Sequence, residues 1–199
     1  MTTFLLIRHA SHDLLGRALA GRTRDIGLNA QGRQEALELA ERLANAAVHA
    51  LYASPRLRAR ETAEPLAVRL GLPTQAHDGI DEVDFGDWDG QSFHDLADAP
   101  GWATWVERRS TAEPPNGETI VSVQRRFLHA IAALGKAHDG RTVALVSHAD
   151  PIRAALAGFL GMSLDDLERF EIAPASISVV AAGDGWAQVK RVNDTGALR

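Results

Sequence analysis

Two spacings of apolar residues alternate along this chain, and their alternation predicts the architecture. Phe4-Leu5-Leu6-Ile7 is a short unbroken apolar run ending in Arg8-His9, the pattern of a strand covered on both faces. Residues 10–28, rich in glycine and arginine, read as a loop. Asn29 is placed to cap a helix in which Ala36, Leu39, Leu43 and Ala47 recur at helical spacing. His49 to Ala53 is a second strand candidate. Ser54-Pro55 then fits a helix start, with serine as N-cap and proline at the first helical position, and Gly71-Leu72-Pro73 stops that helix after Leu70.

Residues 74–118 break the pattern. They carry Trp88, Trp102 and Trp105, much aspartate, and Pro114-Pro115-Asn116-Gly117, and they read as an irregular excursion with one or two short helices. Thr119 caps a long helix with Ile120, Val123, Phe127, Ile131 and Leu134 on one face. Thr142 to Ser147 is the clearest buried strand, and Asp150-Pro151 opens a helix through Leu160. Ser176 to Ala182 and Trp186 to Val192 form two strands joined at Gly183-Asp184-Gly185, close enough in sequence to be antiparallel. The expectation is an α/β protein: a three-layer α/β/α sandwich with a mostly parallel central sheet, an antiparallel edge strand and a lid-like excursion over about 83–118, all in a single domain of 1–199.

Composition narrows the classes of function. With 199 residues, 45% of them hydrophobic and 24% charged, the chain has enough apolar material for a sizeable core. A net charge of −5 argues against a nucleic-acid partner, although a local arginine cluster still suits an anionic small molecule. There is no cysteine, which removes disulfides, thiolate nucleophiles and zinc–thiolate sites. The opening apolar run is too short for a signal peptide and no stretch is long enough to span a membrane, so a cytoplasmic location without membrane partner is expected. The apolar C-terminal hairpin, Ile177 to Val192, is either an edge or the interface of a homodimer.

The chemistry gathers at strand ends. His9 and His148 both stand at the C-terminal ends of parallel-strand candidates, where open α/β sheets bind ligands, so the two should face one crevice. Arg8 adjoins the first, and Ser54-Pro55-Arg56-Leu57-Arg58-Ala59-Arg60 brings more arginines to a helix start with its positive dipole end. Guanidinium groups donate pairwise to phosphate oxygens, and a neutral imidazole can attack phosphorus. Glu82 is a candidate proton donor to the leaving group if its surroundings raise its pKa. Each feature has a plainer reading on its own: a packed histidine, a solvated arginine run, tryptophans that merely pack the lid on the core.

Leu6-Ile7-Arg8-His9-Ala10, residues 54–63, the segment Glu82 to Gly90, and Val146-Ser147-His148 with Pro151-Ile152-Arg153 together resemble, in order and spacing, the motifs of the histidine phosphatase superfamily, the phosphoglycerate-mutase-like proteins. The resemblance covers nearly the whole chain. It implies a histidine phosphorylated at His9, a phosphate pocket completed by Arg8, Arg58 and His148, Glu82 as proton donor, Arg22 as a substrate or phosphate contact, and no metal or organic cofactor. It implies a phosphatase-type member acting on a small phosphoester, because the segment Phe85-Gly86-Asp87-Trp88 lacks the longer insertion of the glycolytic mutases. A phosphomutase and a catalytically silent phosphate-binding module are the alternatives.

The sequence departs from that pattern at three places. Ala10 stands where glycine is usual, Ser11-His12 replaces the common Glu-Thr or Glu-Ser, and Ala149-Asp150 replaces a pair of glycines. Asp150 is read first as an N-cap before Pro151 and second as another acid in the pocket. Ser11 is a further candidate contact. His9 with His12 makes no credible metal site without a third ligand, and His12 is read as a loop residue.

Overall fold

The computed structural model describes residues 1–22 and 25–196. Its strands are β1 (Thr2–Arg8), β2 (Ala50–Ala53), β3 (Thr74–Ala76), β4 (Thr142–Ser147), β5 (Ile177–Gly183) and β6 (Trp186–Asp194). Its helices are α1 (Ala30–Arg42), α2 (Leu57–Leu70), α3 (Phe93–Leu96), α4 (Trp102–Glu107), α5 (Ile120–Ala137) and α6 (Ala149–Leu160). The strands form one sheet in the order β3-β2-β4-β1-β5-β6. The first four run parallel; β5 is antiparallel to β1, and β6 to β5.

Side chains alternate across the pleat, and this divides the core in two. Leu5, Ile7, Leu51, Ala144 and Val146 face α1 and α2, while Phe4, Leu6, Val143 and Leu145 face α5 and α6. An apolar run with no polar interruption is therefore what β1 and β4 need, since both faces are covered. On α5, the stripe Ile120, Val123, Phe127, Ile131 and Leu134 is buried as its spacing predicts, each large side chain contributing about 1.5–3 kcal/mol. Asn29 caps α1 by accepting from the Gly32 amide, and Thr119 caps α5 by accepting from the Ser122 amide.

Several boundaries differ from the sequence reading. Strand β3 was not predicted, because its three residues are all exposed and carry no apolar period. Helix α1 ends at Arg42, and Ala47 lies beyond it, exposed. Helix α2 begins later than Ser54-Pro55 predicts, with Arg56 in the N-cap position, and the Ser54 hydroxyl donates to Asp81 while accepting from the Arg56 amide at 3.3 Å. Asp150 is not an N-cap either: that position belongs to His148, and Asp150 sits in the first turn of α6 with its carboxylate on Arg109 at 2.8 Å. In the excursion, Trp88 and Trp105 are buried with Phe85, Leu96 and Val123 in a third apolar cluster, so both pack the segment onto the body.

The loop that follows His9 rests on α1 through a close backbone approach. A Cβ built on Gly32 would lie 1.9 Å from the Ser11 carbonyl oxygen. Alanine ordinarily favours a helix over glycine, but here Gly32→Ala must push the Ala10–Ser11 backbone aside. A drop in melting temperature of about 5 °C is expected, the overpacking range for a chain this size. A thermal melt at or above the wild-type value would contradict it.

Candidate active site

The register of the two central strands sets the site. Ile7 pairs with Val146 and Arg8 with Ser147, so the next residues, His9 and His148, leave the sheet side by side. The His9 amide continues the ladder to the Ser147 carbonyl at 2.9 Å. The two imidazole rings are 5.1 Å apart, edge to face. Arg58, in the first turn of α2, is fully buried against them. Its Nε donates to His9 Nε2 at 3.3 Å, and its Nη2 donates to Glu82 Oε2 and the Gly21 carbonyl, each at 3.3 Å. Glu82 Oε2 also lies 3.4 Å from His148 Nδ1. Arg8 donates from Nη1 to the Ile172 carbonyl at 2.6 Å and acts on both His9 and Glu82 through its charge. Two buried donors, Arg58 Nη1 and Arg8 Nε, have no hydrogen-bond partner among the described residues.

Partners assign the protons. The Ala10 carbonyl accepts from His9 Nδ1 at 2.8 Å, which leaves the Nε2 lone pair facing the pocket. Burial, and then the Arg58 and Arg8 charges, hold the His9 imidazole well below its ordinary pKa, so it stays neutral and nucleophilic. The Ser54 hydroxyl donates to Asp81 Oδ1 at 2.7 Å, so its oxygen accepts from His148 Nε2, also at 2.7 Å. That chain turns His148 Nδ1 toward the pocket. Burial and the Arg58 charge also hold His148 well below its usual value. Glu82 moves the other way. Burial raises it to about 7 against the pull of Arg58, with Asp150 and Asp81 adding to the rise.

The carboxyl group is firmly seated. Its Oε1 accepts from the Val83 amide at 3.0 Å. The Glu82 carbonyl accepts from Arg22 Nε at 2.6 Å and from Arg126 Nη2 at 2.9 Å, and Glu118 Oε1 joins the two guanidiniums by accepting from both. Arg22, expected to face substrate, is thus committed to the acid-bearing segment, with Asp81 at 3.5 Å. Ser11 is likewise turned to other work: its amide and hydroxyl both donate to Glu35, at 2.8 and 2.9 Å. Ala10 is not among the residues with positive φ, so its Cβ carries no backbone penalty, and its amide donates to Thr62 Oγ1 at 3.0 Å. Arg56, read as a solvated charge, lies 3.2 Å from Asp81. Asp150 is held below the usual carboxylate range by Arg109 and Arg153 despite its burial, so it remains ionised and cannot supply the proton.

Sequence reasoning missed Asp81, the role of the Ser54 hydroxyl, the Arg126–Glu118 brace and the burial of His12. Ser54 opens the motif at residues 54–63 but has a competing use as a helix cap. Asp81 adjoins Glu82 and gives no signal of its own.

His9, Glu82 and His148 offer ligand atoms within 4.8 Å of one another, close enough to hold a metal ion. The surroundings oppose that use, because Arg58 donates to two of the three and would face a divalent cation with like charge. The arrangement suits an oxyanion: an uncharged nucleophilic nitrogen, buried guanidinium donors, a second imidazole and a carboxyl that is half protonated near neutrality.

The comparisons agree with this geometry. A bifunctional protein of Mycobacterium tuberculosis is 32% identical over 99% of this chain, which spans 55% of that protein's length. Phosphoserine phosphatase 1 of Hydrogenobacter thermophilus is 30% identical, with 98% of this chain and 93% of that protein covered. Among solved structures, a mutant phosphoserine phosphatase of Entamoeba histolytica in complex with phosphoserine superposes with a TM-score of 0.89 at 26% identity, covering 100% of both chains. The motifs, the sheet order and a family match over residues 4–195 agree: this chain belongs to the histidine phosphatase superfamily, branch 1.

Proposed function

We propose that this protein is a phosphomonoester hydrolase that carries the phosphoryl group on His9 and acts on a small phosphorylated metabolite. One observation carries the reading. The lone pair of His9 Nε2 points at the same space as the Arg58 guanidinium and His148 Nδ1, with the Glu82 carboxyl at its edge. Glu82 Oε2 already accepts from Arg58 Nη2 beside the His148 ring, as a phosphoryl oxygen would. In the first step His9 Nε2 forms a bond to phosphorus, the ester P–O bond breaks, and Glu82 gives its proton to the leaving alkoxide. In the second, water attacks the phosphohistidine while Glu82 takes a proton from it, the N–P bond breaks, and inorganic phosphate leaves with His9 and Glu82 restored. Charge spread over the phosphoryl oxygens is met by Arg58 and Arg8, and by His148 once the bound anion raises its pKa and its Nδ1 takes up a proton to donate.

Hydrolysis of an aryl phosphate, blocked by vanadate and unaffected by chelator, tests the reading. Absence of turnover across a panel of phosphorylated metabolites, despite vanadate binding, would favour a silent binding module. The relatives make phosphoserine the first substrate to try.

The pH profile is a sharper test. The acid must be protonated in the first step, and Glu82 titrates at about 7. For an alkyl phosphate, kcat/KM should fall about tenfold per unit above that pH, once the substrate's own second ionisation is allowed for. Glu82→Gln should remove this limb and lower the acid-side rate about a hundredfold or more. The loss should be smaller for p-nitrophenyl phosphate, whose leaving group needs less help. An unchanged alkaline limb in that variant would reassign the proton donor.

A further inference from the structure

The loop after His9 places a third imidazole beside the first two. His12 is only 5% exposed, and its ring lies 5.2 Å from that of His9. Its Nδ1 is sealed from solvent and has no hydrogen-bond partner among the described residues. Its position is set from both sides. The Ser11 amide and hydroxyl are held by Glu35, the Ser11 carbonyl accepts from the Asn29 amide at 3.2 Å, and the His12 carbonyl accepts from the Leu15 amide at 3.1 Å. A buried polar nitrogen without a partner is costly to keep unless a ligand supplies one.

The charges around the ring say what that ligand is. The Arg58 guanidinium on α2 and the Arg8 guanidinium on β1 act on His12 through their charge, with the His9 ring beside it and Asp13 next to it on its own loop. Burial and the two guanidiniums hold it down to about 4, so the ring is neutral at pH 7. A dianion seated between those guanidiniums cancels their repulsion and favours the imidazolium.

We infer that His12 contacts the substrate, donating from its ring to an oxygen of the bound phosphoester, and that it takes up a proton when the dianion binds. The inference rests on the reading of this pocket as a phosphoryl site. It gives the replacement of the family's usual Glu-Thr by Ser11-His12 a chemical consequence: Ser11 anchors the loop and His12 replaces the lost polar contact with a group that can change charge.

The test is calorimetric titration of the intact protein with vanadate at pH 7, in two buffers of different ionisation enthalpy, for wild type, His12→Gln and His12→Phe. His12→Phe should weaken binding about tenfold, the worth of one hydrogen bond to a charged group, and lower the proton uptake. His12→Gln keeps an amide donor, so it should bind within about threefold of wild type yet lose the same share of proton uptake. If His12→Phe does not fold, the proton balance of His12→Gln decides. Wild-type affinity together with wild-type proton uptake in either folded variant overturns the inference alone. A wild-type protein that binds no vanadate overturns the phosphoryl-pocket reading and this inference with it.

Discussion

His9→Ala should abolish turnover, lowering hydrolysis of an alkyl phosphate about ten-thousandfold or more, while the variant still binds vanadate. The two halves of this result have different causes. His9 Nε2 is the lone pair aimed into the pocket, and its tautomer is held by the Ala10 carbonyl. Without it, water would have to attack the ester directly, and Glu82, the proposed acid, would not be free to take its proton. The anion-binding groups remain, because Arg58, Arg8 and His148 owe their positions to α2, β1 and the Ser54–Asp81 chain. Rapid quench of wild-type protein with radiolabelled substrate should trap an acid-labile phosphoprotein, absent from His9→Ala. Retention of a tenth of wild-type turnover, or an undiminished phosphoprotein, would remove His9 from the mechanism.

Arg58→Met should be nearly as damaging, with a loss of about a thousandfold in kcat/KM, and it carries a second signature in the pH profile. Arg58 is fully buried and joins the proposed nucleophile to the proposed acid, through Nε to His9 and Nη2 to Glu82. Its charge is the chief influence holding Glu82 down against burial. Removing it therefore raises the Glu82 pKa above 7, and the alkaline limb of the residual activity moves to higher pH. His9 and His148, both depressed by the same charge, move upward as well, so protonation of the nucleophile begins to cut activity on the acid side. The bell shifts as a whole. Arg58→Lys restores the charge without the two-pronged geometry and should recover the pH profile better than the rate. A limb displaced to lower pH, or a rate within tenfold of wild type, would show that the transferring group is held elsewhere.

Much of this was legible beforehand, for identifiable reasons. Phe4-Leu5-Leu6-Ile7 and the run from Thr142 to Ser147 announced strands covered on both faces, and such strands end at a ligand-binding rim. His9 and His148 were found because they stand at those two ends, and Arg58 because it opens the next helix. Ser11, Arg22 and Asp150 were singled out by position near a motif, and each proved to be engaged elsewhere: with Glu35, with the Glu82 carbonyl and Glu118, and with Arg109. Position along a chain says that a polar group is near a site. It does not say which of several partners takes it.

Residue order alone was thus enough for the layered α/β class, the two central strands and the placing of His9 and His148 at their ends, because apolar runs and strand ends are local properties. The direction of protons was not. That Ser54 gives its hydrogen to Asp81 and so turns His148 Nδ1 inward, that Glu82 titrates near neutrality while Asp150 stays ionised, and that His12 lies buried beside His9 depend on burial and on charges dozens of residues away. Those distances exist only once α2, the segment around Glu82 and the turn into α6 close around the end of β1, since a pKa responds to separation in space and not along the chain.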